Sequence, residues 1–487
     1  MNKALTKTIT AISILVSTAL NAGNPEGYNI KIIAKGLKEG DKCLLANYYG
    51  DKQYIKDSAK VNAKGEVIFS GKEKNPEGIY LFVPPNKGRY FDFVMDADQN
   101  FTLETDTMDY VKTMVVKGSE ENKFFYDYQH FMSDKQKQVE PLRNRMNALK
   151  KGNDSIKIYQ DQLIAIDKEV KDYKDNFIKN NSKLFLAKLF KAMDEIVIPE
   201  APILSNGKKD TTFAYHYYKT HFFDNIDFTD DRLLRTPIFN NKIKQYMDKL
   251  TPQTPDSINI SADYLIEKAR ANPEMFKYMV YWLTYTYESS QIMGMDAVFE
   301  HMVEKYYMTK QTPWVDSTQM YKITKRAMTI KPLLIGKKAP GIIMPDSLGK
   351  NISLYDIKAK YTVVIFWDHG CGHCKKEVPK LVKAYNEKLK AKGVEVYTIE
   401  TEDKPEEWRK FIRENDMHFI NVHQPDEYNR AVTKQIYDIY STPVIYLLDE
   451  NKIIKAKRID SEQLEGVIDN IEKQKEFEKK EQEKNKK

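Results

Sequence analysis

Three textures of apolar and polar residues follow one another along the chain. From Tyr28 to Gly118 short runs alternate, as in Tyr28-Asn29-Ile30-Lys31-Ile32, Gly65-Glu66-Val67-Ile68-Phe69, Gly78-Ile79-Tyr80-Leu81-Phe82-Val83 and Asn100-Phe101-Thr102-Leu103-Glu104. A period of two buries one face of a strand, and turn residues at this spacing predict a small antiparallel β domain over residues 25–118. From Ser119 to Lys331 the period becomes helical. Phe124, Tyr128 and Phe131 share one face, Leu186, Leu189, Phe190 and Met193 a second, and Tyr278, Trp282, Tyr285 and Ile292 a third. Prolines at 199, 202, 237, 252, 255, 273 and 313 cut this stretch into separate helices of an α-helical middle domain, residues 119–332. Aromatic stripes at helical spacing favour core over a ligand groove.

From Leu333 strands and helices alternate. Tyr361–Trp367 reads as a buried strand, Cys371–Lys392 as a helix and Val394–Thr401 as a second strand. Pro405–Asn415 reads as a helix, Phe419–Val422 as a strand, Glu427–Tyr437 as a helix, and Val444–Leu448 and Ile453–Lys457 as closing strands before a helix from Ser461. Such alternation implies an α/β sheet with crossovers over residues 333–471. The last residues, 472–487, form a charged tail, either a solvated helix extension or frayed chain. The fold class expected is therefore multidomain: antiparallel β, then α-helical, then α/β.

The chemistry concentrates in Cys371-Gly372-His373-Cys374, directly after the apolar run Val363-Val364-Ile365-Phe366-Trp367. A strand that delivers two thiols to a helix start builds a redox dithiol. Unpaired amides and the helix dipole favour the thiolate at Cys371, and Cys374, one turn further in, can close a ring on it. His373 adds a positive charge when protonated. Zinc binding is the alternative for any such pair, but structural zinc needs about four ligands. The chain's only other cysteine is Cys43, and neither His418 nor His423 has a cysteine companion. His216, His221 and His301 read as ordinary helix residues, without a carboxylate–histidine motif beside them. No metal is expected, and no cofactor beyond the Cys371–Cys374 disulfide itself.

The N-terminus points to export. Lys3 and Lys7 precede the apolar stretch Ile9–Leu20 and the small residues Asn21-Ala22-Gly23, which together read as a signal peptide over residues 1–22 with cleavage after Ala22. Leu20, at the minus-three position, is larger than that site prefers. No later run approaches about 18 apolar residues, so an integral membrane protein is not expected. Secreted chains that rely on disulfide staples are small and cysteine-dense. With 487 residues and three cysteines, this one has no such dependence, and Cys43, in a strand-like context, reads as a buried thiol. The net charge of +7 is spread through interspersed Lys and Glu, which excludes a nucleic-acid track.

Leu333 to about Ile471 resembles a thioredoxin-fold domain of the TlpA/ResA kind. The string Val364-Ile365-Phe366-Trp367-Asp368-His369-Gly370-Cys371-Gly372-His373-Cys374-Lys375-Lys376-Glu377-Val378-Pro379 is similar to that family's strand–CxxC–helix signature. Ser441-Thr442-Pro443-Val444-Ile445-Tyr446-Leu447-Leu448-Asp449 resembles its cis-proline strand. The front two domains resemble modules that precede such domains in exported bacterial proteins. The resemblance implies that Cys371 attacks, Cys374 resolves the mixed disulfide, and a cis Pro443 holds Thr442 extended to pair with a docked substrate strand. It also implies a kink at Pro379.

Departures matter as much. Where thioredoxin proper has a strand aspartate, this chain has Ile365. Glu377 matches an acid of the TlpA/ResA branch and, if buried beneath the dithiol, would take the Cys374 proton. Gly370 replaces the tryptophan that precedes the first cysteine in thioredoxin, while Trp367 is kept as packing beside the site. His369 reads as an exposed loop histidine, with added positive charge near Cys371 as the alternative. A peroxidase of the same fold wants a threonine three residues before its cysteine, where Asp368 stands here.

These features imply a periplasmic or otherwise exported thiol-disulfide oxidoreductase. It would act on exported protein thiols or disulfides and, as a disulfide reductase, draw on a membrane electron donor. His373 argues the other way, for an isomerase or oxidase, because a more stable thiolate raises the reduction potential. A binding module in which the front domains do the work is the non-enzymatic alternative.

Overall fold

A computed structural model describes residues 27–85, 89–149 and 155–485. The expected signal peptide lies outside them. The chain divides into two compact units, one ending at Lys244 and one beginning at Gln245.

The first unit opens with eight strands: β1 (Tyr28–Lys35), β2 (Lys42–Tyr49), β3 (Lys52–Lys60), β4 (Glu66–Gly71), β5 (Gly78–Val83), β6 (Phe91–Met95), β7 (Asn100–Asp106) and β8 (Val115–Lys117). They form two four-stranded sheets, ordered β4-β1-β7-β8 and β3-β2-β5-β6. All pairs are antiparallel except β1 with β7. The chain leaves the first sheet after β4, builds β5 and β6, and re-enters as β7 beside β1 in the same direction. Cys43, on β2, is fully buried, and burial pushes its thiol up to about 11.

Four helices follow in this unit, α1 (Glu120–Ala148), α2 (Ser155–Asn180), α3 (Phe185–Met193) and α4 (Phe213–His221), and α5 (Pro237–Lys249) runs across the division. Ser119 caps α1 by accepting the Asn122 N–H. Buried Asn122 then imitates a strand neighbour of β6: its Oδ1 accepts Val94 N–H at 2.7 Å and its Nδ2 donates to Val94 O at 2.7 Å. The aromatic face of α1 is half-buried and packs on its neighbours, with Phe124 5.3 Å from Phe177, Tyr128 4.5 Å from Phe190, and Phe131 stacked on Tyr173 at 4.5 Å.

The second unit carries α6 (Pro255–Ala269), α7 (Pro273–Glu288), α8 (Asp296–Met302) and α9 (Ser317–Ile330). Of the face read as Tyr278, Trp282, Tyr285 and Ile292, Tyr278 is buried, but Tyr285 is 53% and Ile292 54% exposed. Met275, Met279 and Leu283, at spacings of four, are buried instead, and Tyr285 stacks on Tyr281 outside. Tyrosine tolerates both settings, so tyrosine spacing alone does not tell the buried stripe from the exposed one.

The same unit then builds β9 (Ile343–Pro345), β10 (Asn351–Ser353), β11 (Tyr361–Trp367), α10 (Cys374–Ala384), β12 (Val394–Glu400), α11 (Pro405–Glu414), β13 (Ile420–His423), α12 (Glu427–Ile436), β14 (Val444–Asp449), β15 (Ile454–Lys457) and α13 (Leu464–Asn485). The main sheet is ordered β13-β12-β11-β14-β15, with β11 central, parallel to β12 and antiparallel to β14. Every residue of β11 is buried, as a central strand covered on both faces requires. Val363, Ile365 and Trp367 meet Val378, Leu381 and Val382 of α10, while Val364 and Phe366 face the opposite core with Tyr437 and Tyr446. The tail is a helix extension through Asn485, which Tyr361 and Lys360 tie down by hydrogen bonds to Glu472.

Candidate functional site: the Cys371–Cys374 dithiol

The fully buried β11 ends at Trp367, and the chain turns at once. Asp368 Oδ1 accepts Gly370 N–H at 2.6 Å and Asp368 O accepts Cys371 N–H at 3.1 Å, so the turn presents Cys371 at the carboxyl edge of the sheet. The helix itself starts at Cys374, three residues later than expected. His373 is its N-cap, without a side-chain capping bond, and the backbone carbonyl of Cys371 accepts Lys375 N–H at 3.0 Å.

The two thiols differ sharply. Cys371 is partly exposed and its thiol is lowered: burial pushes it up, but the N–H groups of Cys374 and His373 and contacts with Thr442 and Cys374 outweigh that. Cys374 is fully buried, and burial pushes its thiol up to about 12. Cys371 Sγ donates to Thr442 O at 3.4 Å, and the Thr442–Pro443 bond is cis. Trp367 lies fully buried under the site in the core that holds Cys374, its ring 4.9 Å from Phe411.

Of the residues expected at the site, the fold brings together Cys371, Cys374, Thr442 and Pro443, over Trp367. The His373 ring points to solvent while its N–H serves Cys371. Glu377 is half-buried, and its Oε1 accepts Ser461 N–H at 2.6 Å, ahead of α13. Pro379 is accommodated within α10.

His369 overturns its expectation as an exposed loop residue. It is 7% exposed, because the Asp368–Gly370 turn points its ring back over the sheet. Its Nδ1 lies 3.4 Å from Glu400 Oε1 and 3.9 Å from Asp368 Oδ1, and its Nε2 lies 3.0 Å from Glu407 Oε2. Glu400, which pairs in register with Trp367, is fully buried. Burial pushes its carboxyl up to about 8 against N–H donation from Glu402 and His369. Its Oε2 has no hydrogen-bond partner among the described residues. Glu400 was missed by sequence reasoning. The available signal was an acid ending an apolar strand at the carboxyl edge of a sheet, where such folds place their chemistry.

Asp368, His369 and Glu400 are also the group whose donor atoms approach ligand spacing, within 4.8 Å of one another. Each facing atom is already used inside the protein: Asp368 Oδ1 by Gly370 N–H, His369 Nδ1 and Glu400 Oε1 by each other.

A thioredoxin-like sheet with an asymmetric dithiol at the end of its central strand, opposite a cis proline, defines a thiol–disulfide exchange protein. Comparison with known proteins agrees. Residues 335–457 match the AhpC/TSA family, residues 165–331 a domain of unknown function (DUF5106) and residues 28–125 another (DUF4369). Thiol-disulfide oxidoreductase ResA of Bacillus cereus is 32% identical over 142 residues, covering 28% of this chain and 78% of that protein. ResA of Bacillus subtilis is 30% identical over 122 residues, covering 25% and 65%. Among solved structures, a domain described as a possible thiol-disulfide isomerase from Cytophaga hutchinsonii is 48% identical, covering 30% of this chain and 98% of its own, with a TM-score of 0.28. The thioredoxin domain of a thiol-disulfide oxidoreductase from Bacteroides vulgatus is 35% identical, covering 28% and 96%, with a TM-score of 0.26. Through its C-terminal domain the chain belongs to the ResA-type, thioredoxin-like thiol-disulfide oxidoreductases.

Proposed function

We propose that the chain is a protein-disulfide reductase of an exported compartment. The contrast between Cys371, partly exposed with a lowered thiol, and Cys374, buried with a raised one, carries this reading. In the first step the Cys371 thiolate attacks one sulfur of a substrate disulfide. The substrate S–S bond breaks, and its other sulfur leaves as a thiolate and takes a proton. In the second, Cys374 loses its proton and attacks Cys371 Sγ. The mixed disulfide breaks, the second substrate sulfur leaves, and Cys371–Cys374 remains oxidised after passing two electrons. A membrane dithiol donor returns the electrons.

Thr442 supports the docking role, since its carbonyl already faces Cys371 and a substrate strand can pair with its backbone. Glu377 is proposed to assist the loss of the Cys374 proton, and His373 to stabilise the Cys371 thiolate. Export rests on the N-terminal Lys3–Ala22 pattern. No described helix is long and apolar enough to cross a membrane. The lowered Cys371 thiol favours one second reading, an isomerase or oxidase, because stabilising the reduced form raises the potential.

Trapping with Cys374→Ala tests the reading. The variant should accumulate mixed disulfides between Cys371 and exported proteins. An empty trap, or trapping by Cys371→Ala instead, overturns it. Equilibration against glutathione separates reductase from oxidase by the potential it returns.

A further inference from the structure

The β domain of the first unit holds an acid that the exchange chemistry does not use. β6 is the edge strand of its sheet, and α1 covers that edge: Asn122 pairs with both backbone groups of Val94, and Tyr126 Oη donates to Asp92 O at 2.8 Å. Beside this cover lies a cavity of about 440 Å³, lined from β6, residues 107–111 and α1. Asp92 is part of its wall. Its Oδ1 is enclosed and has no hydrogen-bond partner among the described residues. Burial alone pushes the carboxyl up to about 6, with no neighbouring cation to oppose it, so it is chiefly ionised at neutral pH.

The groups around Asp92 are phenols rather than bases. Tyr48 of β2 and Tyr126 of α1 are raised by burial and then by the Asp92 charge, and Tyr90 shares a hydrogen bond with Tyr48. Tyr110, whose ring centre is 5.1 Å from that of Phe91, adds a further aromatic to the wall. The rim carries one exposed charge of each sign. Arg89 donates to Met108 O at 3.4 Å, and Asp109 accepts Lys112 N–H at 3.0 Å. Asp92 therefore sets the charge of the interior.

A buried carboxylate without a partner is costly to the fold, and such groups mark sites more often than scaffolds. The carboxylate and the aromatic faces attract the same kind of ligand, a cation with N–H donors and a short apolar stem. The volume falls within the range of small-molecule sites, roughly 300–1,000 Å³.

We propose that this cavity binds an alkylammonium group, with the ammonium on Asp92 and the carbon chain among Tyr90, Met108 and Tyr110. The group belongs either to a free primary amine or to a lysine side chain of a polypeptide. The site lies in the first unit and makes no use of the dithiol, so it stands or falls independently of the exchange reading.

Calorimetric titration of the full chain at fixed ionic strength, with n-butylammonium, n-butanol and butyrate in turn, tests it. Saturable binding of n-butylammonium at about millimolar concentration is expected, roughly ten-fold tighter than either of the others. Asp92→Asn keeps the shape and removes the charge. It should lose about ten-fold in affinity with no fall in melting temperature, since it deletes an uncompensated charge and no hydrogen bond. n-Butylammonium should raise the melting temperature of wild type and leave that of Asp92→Asn unmoved. Tyr90→Ala, at a ring that is 49% exposed, should weaken binding about three-fold in a folded protein. Acetyl-Gly-Lys-Gly-amide separates the two sources: tighter binding than n-butylammonium assigns a lysine side chain, and weaker binding a free amine. Equal binding of n-butanol overturns the proposal by making the cavity simply apolar. Undiminished n-butylammonium binding by Asp92→Asn overturns it too, as does the absence of saturation in wild type. A depressed melting temperature in Asp92→Asn would make the carboxylate a structural group and overturns it as well.

Discussion

Arg326 of α9 is ion-paired with Asp438, in the turn that leads to Thr442 and cis Pro443. Asp438 is nearly buried, and it also takes Arg458 Nη2 at 2.8 Å. The Arg326 guanidinium lies 5.3 Å from the ring centre of Tyr440, which is 79% exposed. A second tie joins Lys457 of β15 to Asp296 of α8. The helices before the α/β domain thus hold the segment on which a substrate strand is proposed to dock.

Arg326→Ala should therefore weaken exchange with a protein disulfide more than with a small one. A roughly three- to ten-fold loss is expected with insulin as probe, with no change for a small aromatic disulfide. Arg326→Lys should recover part of the loss. Equal rates with insulin in wild type and variant would remove the helices from substrate handling.

Glu400 also sets a stability profile. Its ordinary value is 4.5 and its folded value about 8, so the folded state holds the proton that the unfolded chain gives up. Stability from this group is full below about pH 4.5 and is lost as pH rises toward 8, by about 1.4 kcal/mol per unit. Denaturant unfolding across that window should show the fall in wild type and a flatter profile in Glu400→Gln. Parallel profiles would mean that the carboxyl is ionised in the folded protein.

Much of this site was legible in the sequence, because its features are local. Two thiols after an all-apolar strand can sit only at a sheet edge, and Thr442-Pro443 heads another apolar strand. The parts that were not legible depend on neighbours distant in sequence. His369 looks like a loop residue until the Asp368–Gly370 turn aims it at Glu400, a residue 31 positions away. Glu400 is a strand-end acid whose burial depends on β13 and α11 closing over it. The α7 stripe failed for a related reason: tyrosines mark both a buried and an exposed face there, and only packing distinguishes them. In the β region, alternation predicts strands but not the return of β7 beside β1.

The two thiols should differ in reactivity as their surroundings require. Cys371, lowered and partly exposed, should be alkylated first by iodoacetamide, with a rate that rises below the usual thiol range. Cys374, pushed up to about 12, should stay unmodified in the folded protein at pH 8 and react only on unfolding. Mass mapping after brief labelling checks the order, and early label on Cys374 would reverse the assigned roles.

Glu377 has a contact that separates structure from chemistry. Its Oε1 accepts Ser461 N–H at 2.6 Å, so the carboxylate anchors the entry to α13. Glu377→Gln keeps an oxygen for that N–H and removes only the charge. Glu377→Ala removes both and leaves the Ser461 N–H without this partner, at a cost of about 1–3 kcal/mol. If Glu377 assists resolution, then in reaction of the reduced chain with 5,5′-dithiobis(2-nitrobenzoate) Gln should slow the second nitrothiobenzoate release, made by Cys374, at neutral pH with little change in melting temperature, and Ala should lower both. A Gln variant with wild-type kinetics beside an Ala variant with a depressed melting temperature would make Glu377 an anchor alone.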